Sequence, residues 1–306
     1  MLSTRLVFGF LMAGALVSVL IVDEWVAPWF PFWFLTALIV LNAASLELVG
    51  LLGTTTAQPS GNTVFGGVSA LVVANWAPHI VEHLSTDPRW ADRMALESVG
   101  PISVFAWPLF TFAALVMATF VIQSLQFRNS GGGGTIATIS VTLLAIAYIG
   151  VLGGFIMQMR WLDGSHHGVV PLVLLVSTAK GADIGAYTLG RLVGRRRLWP
   201  LVSPRKTVEG AVGGLVFAIL AAVLVSMTAR HLFGVLSFGL IEAVGFGVCV
   251  GTAAQLGDLM ESMIKRDCAR KDASDAVPGF GGVLDVLDSL LFAAPVAFGY
   301  WLWLGP

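Results

Sequence analysis

The sequence predicts an all-α polytopic membrane protein with about nine transmembrane helices and its basic loops on the cytoplasmic side. Three observations predict this. Hydrophobic residues make up 57% and charged residues 11% of the 306 residues, with a mean hydropathy of +0.86, well outside the balance of a soluble chain. Apolar runs near or above the ~18 to 20 residues that cross a bilayer as a helix recur along the whole chain. Basic residues, finally, gather in two of the intervening loops. A soluble domain hung on a single anchor is excluded, and the net charge of −1 identifies no partner.

The spans fall at about 5–22, 30–49, 63–81, 101–122, 135–157, 169–189, 208–228, 235–256 and 282–303. The first has the positive start, Arg5, and apolar body of a signal peptide. Its run exceeds the ~7 to 15 residues of such a segment, however, and Asp23 and Glu24 stand where small cleavage-site residues belong. It is therefore read as a span. Trp25, Trp29 and Trp33 flank the first and second spans, and Trp76, Trp107 and Trp161 lie near the ends of the third to fifth. Trp301 and Trp303 close the ninth, as interfacial aromatics should. Ser130 to Gly134 is a flexible turn. The third and sixth spans carry polar interruptions, Lys180 and Asp183 among them. Cys249 in an apolar run and Cys268 in a basic loop read as reduced thiols.

Alternation from a cytoplasmic N-terminus places the loops at about 190–207 and 257–281 on one side. They carry Arg191, Arg195, Arg196, Arg197, Arg205, Lys206, Lys265, Arg266, Arg270 and Lys271, ten of the 17 Lys and Arg residues. Positive loops stay in the cytoplasm. The opposite side receives Asp23 and Glu24, the mixed loop Glu82 to Glu97 and the turn at Arg230 and His231.

The chemistry concentrates between Gly257 and Asp288. At helical spacing Asp258, Glu261, Ser262 and Lys265 share one face. After the break at Pro278 to Gly282, Asp285 and Asp288 stand three apart in an apolar run. Carboxylates in a bilayer are costly unless paired, protonated or bound to a cation. Mg²⁺ takes oxygen ligands and shares substrate phosphates, so aspartates from two helices beside a basic loop suit it. Asp288 reads equally well as a charge that only sets topology. His79, His83, His166 and His167 lack acidic neighbours at metal-ligand spacing and read as interfacial histidines. Helix-end positions suffice to explain Glu47 and Glu82.

The run Ser262 to Arg266, with Lys271 and Asp272, Pro278, Gly281, Gly282, Asp285 and Asp288, resembles the signature of the phosphatidate cytidylyltransferase (CDP-diacylglycerol synthase) family. Upstream, Ser203-Pro204-Arg205-Lys206-Thr207, followed by Glu209, Gly210, Gly213 and Gly214, resembles a second element of that family. Lys180, Asp183 and Tyr187 precede it on one face of the sixth span. The two matches cover about residues 155–290. This divides the chain into 1–150, a scaffold or lipid cleft, and 151–306, the catalytic region. Two positions depart from the family: Phe280 stands for its His and Val286 for its Arg.

The resemblance implies an integral enzyme of the bacterial inner membrane that joins CTP to phosphatidate held in the bilayer. Asp258, Lys265 and Asp285 would be catalytic. Asp258 and Asp285, with Asp288 or Asp183, would bind Mg²⁺ (or Mn²⁺), with room for a second cation. Ser203, Arg205, Lys206, Thr207, Arg266 and Lys271 would hold the substrates. Arg195 to Arg197 read as a solvated cluster facing lipid headgroups. No nucleic acid is implied, and a homodimer is left open. The competing readings are a CTP-dependent lipid kinase, a cytidylyltransferase for another lipid phosphate, a transporter with its charges at mid-membrane, and an inactive scaffold.

Overall fold

The computed structural model describes residues 2–86, 101–130, 134–162, 168–232, 234 and 238–304. The expectations for residues 87–97, for 131–133 in the turn Ser130 to Gly134, for His166 and His167, and for the start of the eighth span at 235–237 lie outside that set. The helices are α1 (Leu2–Glu24), α2 (Pro31–Leu52), α3 (Gly61–Thr86), α4 (Pro101–Ser130), α5 (Thr135–Ala145), α6 (Leu152–Gln158), α7 (Val169–Val193), α8 (Val208–Leu232), α9 (Leu240–Asp267) and α10 (Val283–Leu304). A π-helical turn, Ile146–Val151, joins α5 to α6, and Met159–Trp161 adds a 3₁₀ turn. Together these make the fifth long apolar stretch, Thr135–Trp161. Among the described residues nine stretches are long and apolar enough to cross a membrane, one for each predicted span. The chain is thus a polytopic, all-α membrane protein by length and composition.

The fold departs from the sequence reading in two ways. The loop before α8 contains a two-stranded antiparallel ribbon, β1 (Arg197–Trp199) and β2 (Ser203–Thr207). Arg197 pairs with Thr207 and Trp199 with Ser203, with an irregularity between. Pro204, which has no N–H to donate, falls in that stretch. The eighth span, predicted to end near 256, continues as helix to Asp267. Trp33 and Trp301, moreover, are 5% and 4% exposed, buried within the protein and not at a lipid interface.

The chain forms two compact units: Met1–Gln158 with Ser274–Leu284, and Met159–Ala273 with Asp285–Pro306. In the first, buried polar groups fasten the helices. The fully buried Asp23 accepts from Phe32 N–H at 3.0 Å and Trp33 N–H at 2.5 Å, capping α2. Gln158 donates to the Asn75 carbonyl and side chain, both at 3.1 Å, and its Oε1 meets His79 Nε2 at 2.9 Å. Glu47 fastens the Ser274–Leu284 segment. It accepts from Ser274 Oγ at 2.6 Å, Val283 N–H at 3.0 Å and Leu284 N–H at 2.8 Å. A carboxylate from α2 therefore caps α10, and a methyl group on Gly282 would collide with it.

Glu47→Ala is expected to lower the melting temperature by several degrees. A lost cap costs about 1 kcal/mol and a stranded backbone N–H about 1 to 3 kcal/mol. Thermal unfolding in detergent measures it, and an unchanged Tm would mean that the segment holds without Glu47.

The second unit packs α7, α8, α9 and α10 through small residues, which let helix backbones approach closely. A Cβ on Gly185 of α7 would lie 2.5 Å from the Gly213 carbonyl of α8. One on Gly257 of α9 would lie 2.5 Å from the Asp288 carbonyl of α10. Those two contacts set the spacing of the polar groups described next.

Candidate functional site

Within the second unit, polar side chains from the middle of α7, the C-terminal part of α9, the end of β2 and the first turns of α10 come together. Three lysines and their four carboxylate partners stand there. Lys206, at the end of β2, reaches Asp258 of α9 at 2.6 Å. Lys265, seven residues on, is held between Glu261 and Asp285, the latter at 2.6 Å. Lys180 of α7 reaches Asp183 at 3.1 Å. Asp288, 7% exposed, lies within electrostatic reach of Lys180, Asp258 and Asp183. Glu261, fully buried, is within reach of Asp288 and Asp285. Asp288 is therefore the middle carboxylate of the group. Its place follows from the Gly257 contact, which brings the turn bearing Asp258 against the backbone of Asp288.

Asp285 is doubly engaged: Oδ1 accepts from Lys265 and Oδ2 from Ala273 N–H at 2.9 Å, so it also anchors the end of the basic loop. Arg266 Nε donates to the Val202 carbonyl at 3.3 Å and Nη1 to the Arg270 carbonyl at 3.1 Å, tying α9 to the ribbon. Thr207 Oγ1 accepts from Gly210 N–H at 3.1 Å and caps α8. Glu209 accepts from the N–H groups of Arg195 at 2.9 Å and Arg196 at 3.1 Å, folding the chain before the ribbon against that helix start. Ser203 opens β2, and Arg205 is fixed through its carbonyl, 3.4 Å from Arg197 Nη1. Lys271 is exposed and pairs with Asp272 at 3.4 Å. Tyr187 faces outward to Arg191, away from the Lys180 cluster.

Asp258 and Asp285, read from the sequence as one pair, thus have different ammonium partners. Lys206 and Lys265 do belong to the same cluster as all four aspartates. Glu261 stands in the sequence on the same face as Asp258 and Lys265, a pair of carboxylates and a cation suited to metal and phosphate, whereas Ser289 is not among the residues that the sequence points to. Glu261 had a signal, four residues before Lys265, whereas a serine in an apolar run has none. Phe280 belongs to the first unit, its ring near Gly9. The Val286 carbonyl accepts from Lys180 Nζ at 2.9 Å.

The donor set consists of hard oxygens. Among the described residues no three His, Cys, Asp or Glu converge into a cage for a metal by themselves. Magnesium needs none, since one or two carboxylates plus water and substrate phosphate complete its shell.

Fold and site together define a polytopic helical membrane protein with paired lysines and carboxylates clustered where α7, α9 and α10 pack together. The sequence profile of the Cytidylyltransferase family matches residues 3–304, and the chain belongs to that family. Residues of the chain are 34% identical over 190 residues to the phosphatidate cytidylyltransferase of Bacillus subtilis (strain 168), covering 62% of this chain and 63% of the relative. The Synechocystis sp. protein of the same name is 34% identical over 188 residues, 54% and 62% of the two chains. That of Staphylococcus saprophyticus is 35% identical over 154 residues, 50% and 55%. The matches thus span 55 to 63% of the relatives' lengths. The resemblance read from the motifs is borne out at the level of the family.

Proposed function

We propose that the protein transfers a cytidylyl group from CTP to phosphatidate, giving CDP-diacylglycerol and pyrophosphate for phospholipid synthesis. The observation that carries this reading is the gathering of three lysines and five carboxylates from mid-α7, the C-terminal part of α9, the start of α10 and the end of β2, in a chain of the cytidylyltransferase family. A phosphate oxygen of the lipid attacks the α-phosphorus of CTP, the bond from that phosphorus to the bridging oxygen breaks, and pyrophosphate leaves. Such transfers rely on positioning and charge neutralisation, so no nucleophilic side chain is required.

Lys206 and Lys265 are the ammonium groups that a triphosphate would draw from their carboxylate partners. Arg205, Arg266 and Lys271 extend the positive surface toward the departing pyrophosphate. Ser203 and Thr207 place the start of α8, whose dipole favours an anion while its Val208 and Gly210 N–H groups bond to the Arg196 carbonyl and Thr207 Oγ1. Asp258 and Asp285 would hold Mg²⁺ or Mn²⁺, with Asp288 and Asp183 the carboxylates next in reach. Bound there, the ion would neutralise charge on the phosphates. Purified protein is expected to release pyrophosphate from CTP only when phosphatidate and Mg²⁺ are both present; release without lipid would contradict the reading.

The basic loops face the cytoplasm in this proposal, where CTP is found, and the membrane is a bacterial inner membrane. Arg196→Cys, in a background lacking Cys249 and Cys268, is expected to resist an impermeant thiol reagent in intact cells and to react in inverted vesicles. Labelling from outside intact cells would overturn the orientation.

A further inference from the structure

Lys180 lies within the sixth membrane stretch, Val169–Val193. Its Nζ donates to Asp183 Oδ2 at 3.1 Å, to the Val286 carbonyl at 2.9 Å and to Ser289 Oγ at 3.0 Å, so all three ammonium protons have acceptors. Ser289 passes the arrangement on. Its Oγ donates to Asp183 Oδ2 at 3.1 Å, and its N–H meets Asp288 Oδ1 at 2.5 Å. One cation therefore joins α7 to the first two turns of α10 and, through a single serine, reaches the carboxylates on both helices. Asp258 of α9 is also within its electrostatic reach.

Three carboxylates this close repel one another, and a low dielectric strengthens the repulsion. An ammonium group anchored among them removes the repulsion without leaving the site, as a diffusible ion would. Fixed geometry is what a transfer reaction needs, since small displacements of a positioning group cost rate steeply. Lys180 bonds a backbone carbonyl and a hydroxyl besides its carboxylate, whereas the ammonium groups of Lys206 and Lys265 pair with carboxylates.

We propose that Lys180 is a positioning residue: a tethered cation that locks α7 to α10 and holds Asp288 beside Asp183 and Asp258. The role in turnover rests on the cytidylyl-transfer reading; the lock itself does not. Lys180→Met is expected to lower kcat at least about tenfold while KM for CTP stays within about twofold, because no substrate contact is lost. Mn²⁺ binding to the same variant, read by electron paramagnetic resonance, is expected to remain at least as tight, since a positive charge has left the carboxylates. Lys180→Arg, which keeps charge and donors, is expected to recover most of the lost kcat. A rise in KM for CTP of about tenfold with kcat kept would place Lys180 on the substrate and overturn the proposal, as would unchanged turnover.

The lock is tested without turnover by thermal unfolding of Lys180→Met, Ser289→Ala and the double variant. Coupled residues give non-additive losses, so the double variant is expected to melt close to Lys180→Met alone. Additive losses would overturn the lock. If the wild type transfers no cytidylyl group, the functional reading fails, and this cycle still decides the structural one.

Discussion

Asp258→Asn and Asp285→Asn are each expected to lower kcat/KM for CTP by at least about a thousandfold, or ~4 kcal/mol of transition-state stabilisation. Asparagine keeps the shape and an acceptor oxygen, so the loss measures charge. Asp258 has one ammonium partner and a side chain 32% exposed, so its variant should fold and melt as the wild type does. Asp285 is more enclosed, 8% exposed, and also holds Ala273 N–H, so its variant should melt slightly lower. Both should bind Mn²⁺ more weakly. Full turnover by either purified variant at ordinary Mg²⁺ would mean that these carboxylates only neutralise lysines.

The largest loss of stability is expected at Lys265. Its side chain is 10% exposed and is held between Glu261 and Asp285, whose side chains are 1% and 8% exposed. Lys265→Met strands two adjacent carboxylates, and breaking a buried ion pair from one side costs about 3 to 5 kcal/mol. Adding Glu261→Gln removes one of the stranded charges and should restore much of that stability. Activity should not return, because the ammonium group that neutralises phosphate is still missing. Thermal unfolding of the single and double variants checks the first part, and CTP turnover the second. Recovered turnover in the double variant would show Lys265 to be structural alone.

The nine membrane stretches were legible because the signal is compositional: a bilayer demands long apolar helices whatever they pack against. Where the reading of apolar runs stopped short, charge was the reason. The apolar run of the eighth span stops near 256, where Asp258, Glu261 and Lys265 follow, yet those residues continue the helix by pairing with one another and their neighbours. The ribbon was not legible, since a three-residue and a five-residue strand carry too little pattern.

At the site, residue types and spacings were legible and pairings were not. Asp258 and Asp285 stand out in the sequence, but which lysine each meets depends on how closely α9 and α10 approach, which Gly257 sets. Glu47 was the hardest to foresee: Ser274, one of its partners, lies 227 residues away. Nothing local distinguishes it from an ordinary acid near a helix end.

The central claim is that the cytidylyl group, not a terminal phosphate, passes from CTP to the lipid. Purified protein supplied with phosphatidate, Mg²⁺ and CTP labelled at either the α- or the γ-phosphorus tests it directly. The account predicts that lipid extracts carry the α-label and that the γ-label leaves in pyrophosphate. Label from the γ-position in the lipid would identify a CTP-dependent kinase and contradict the account, and lipid free of both labels would contradict cytidylyl transfer to phosphatidate altogether.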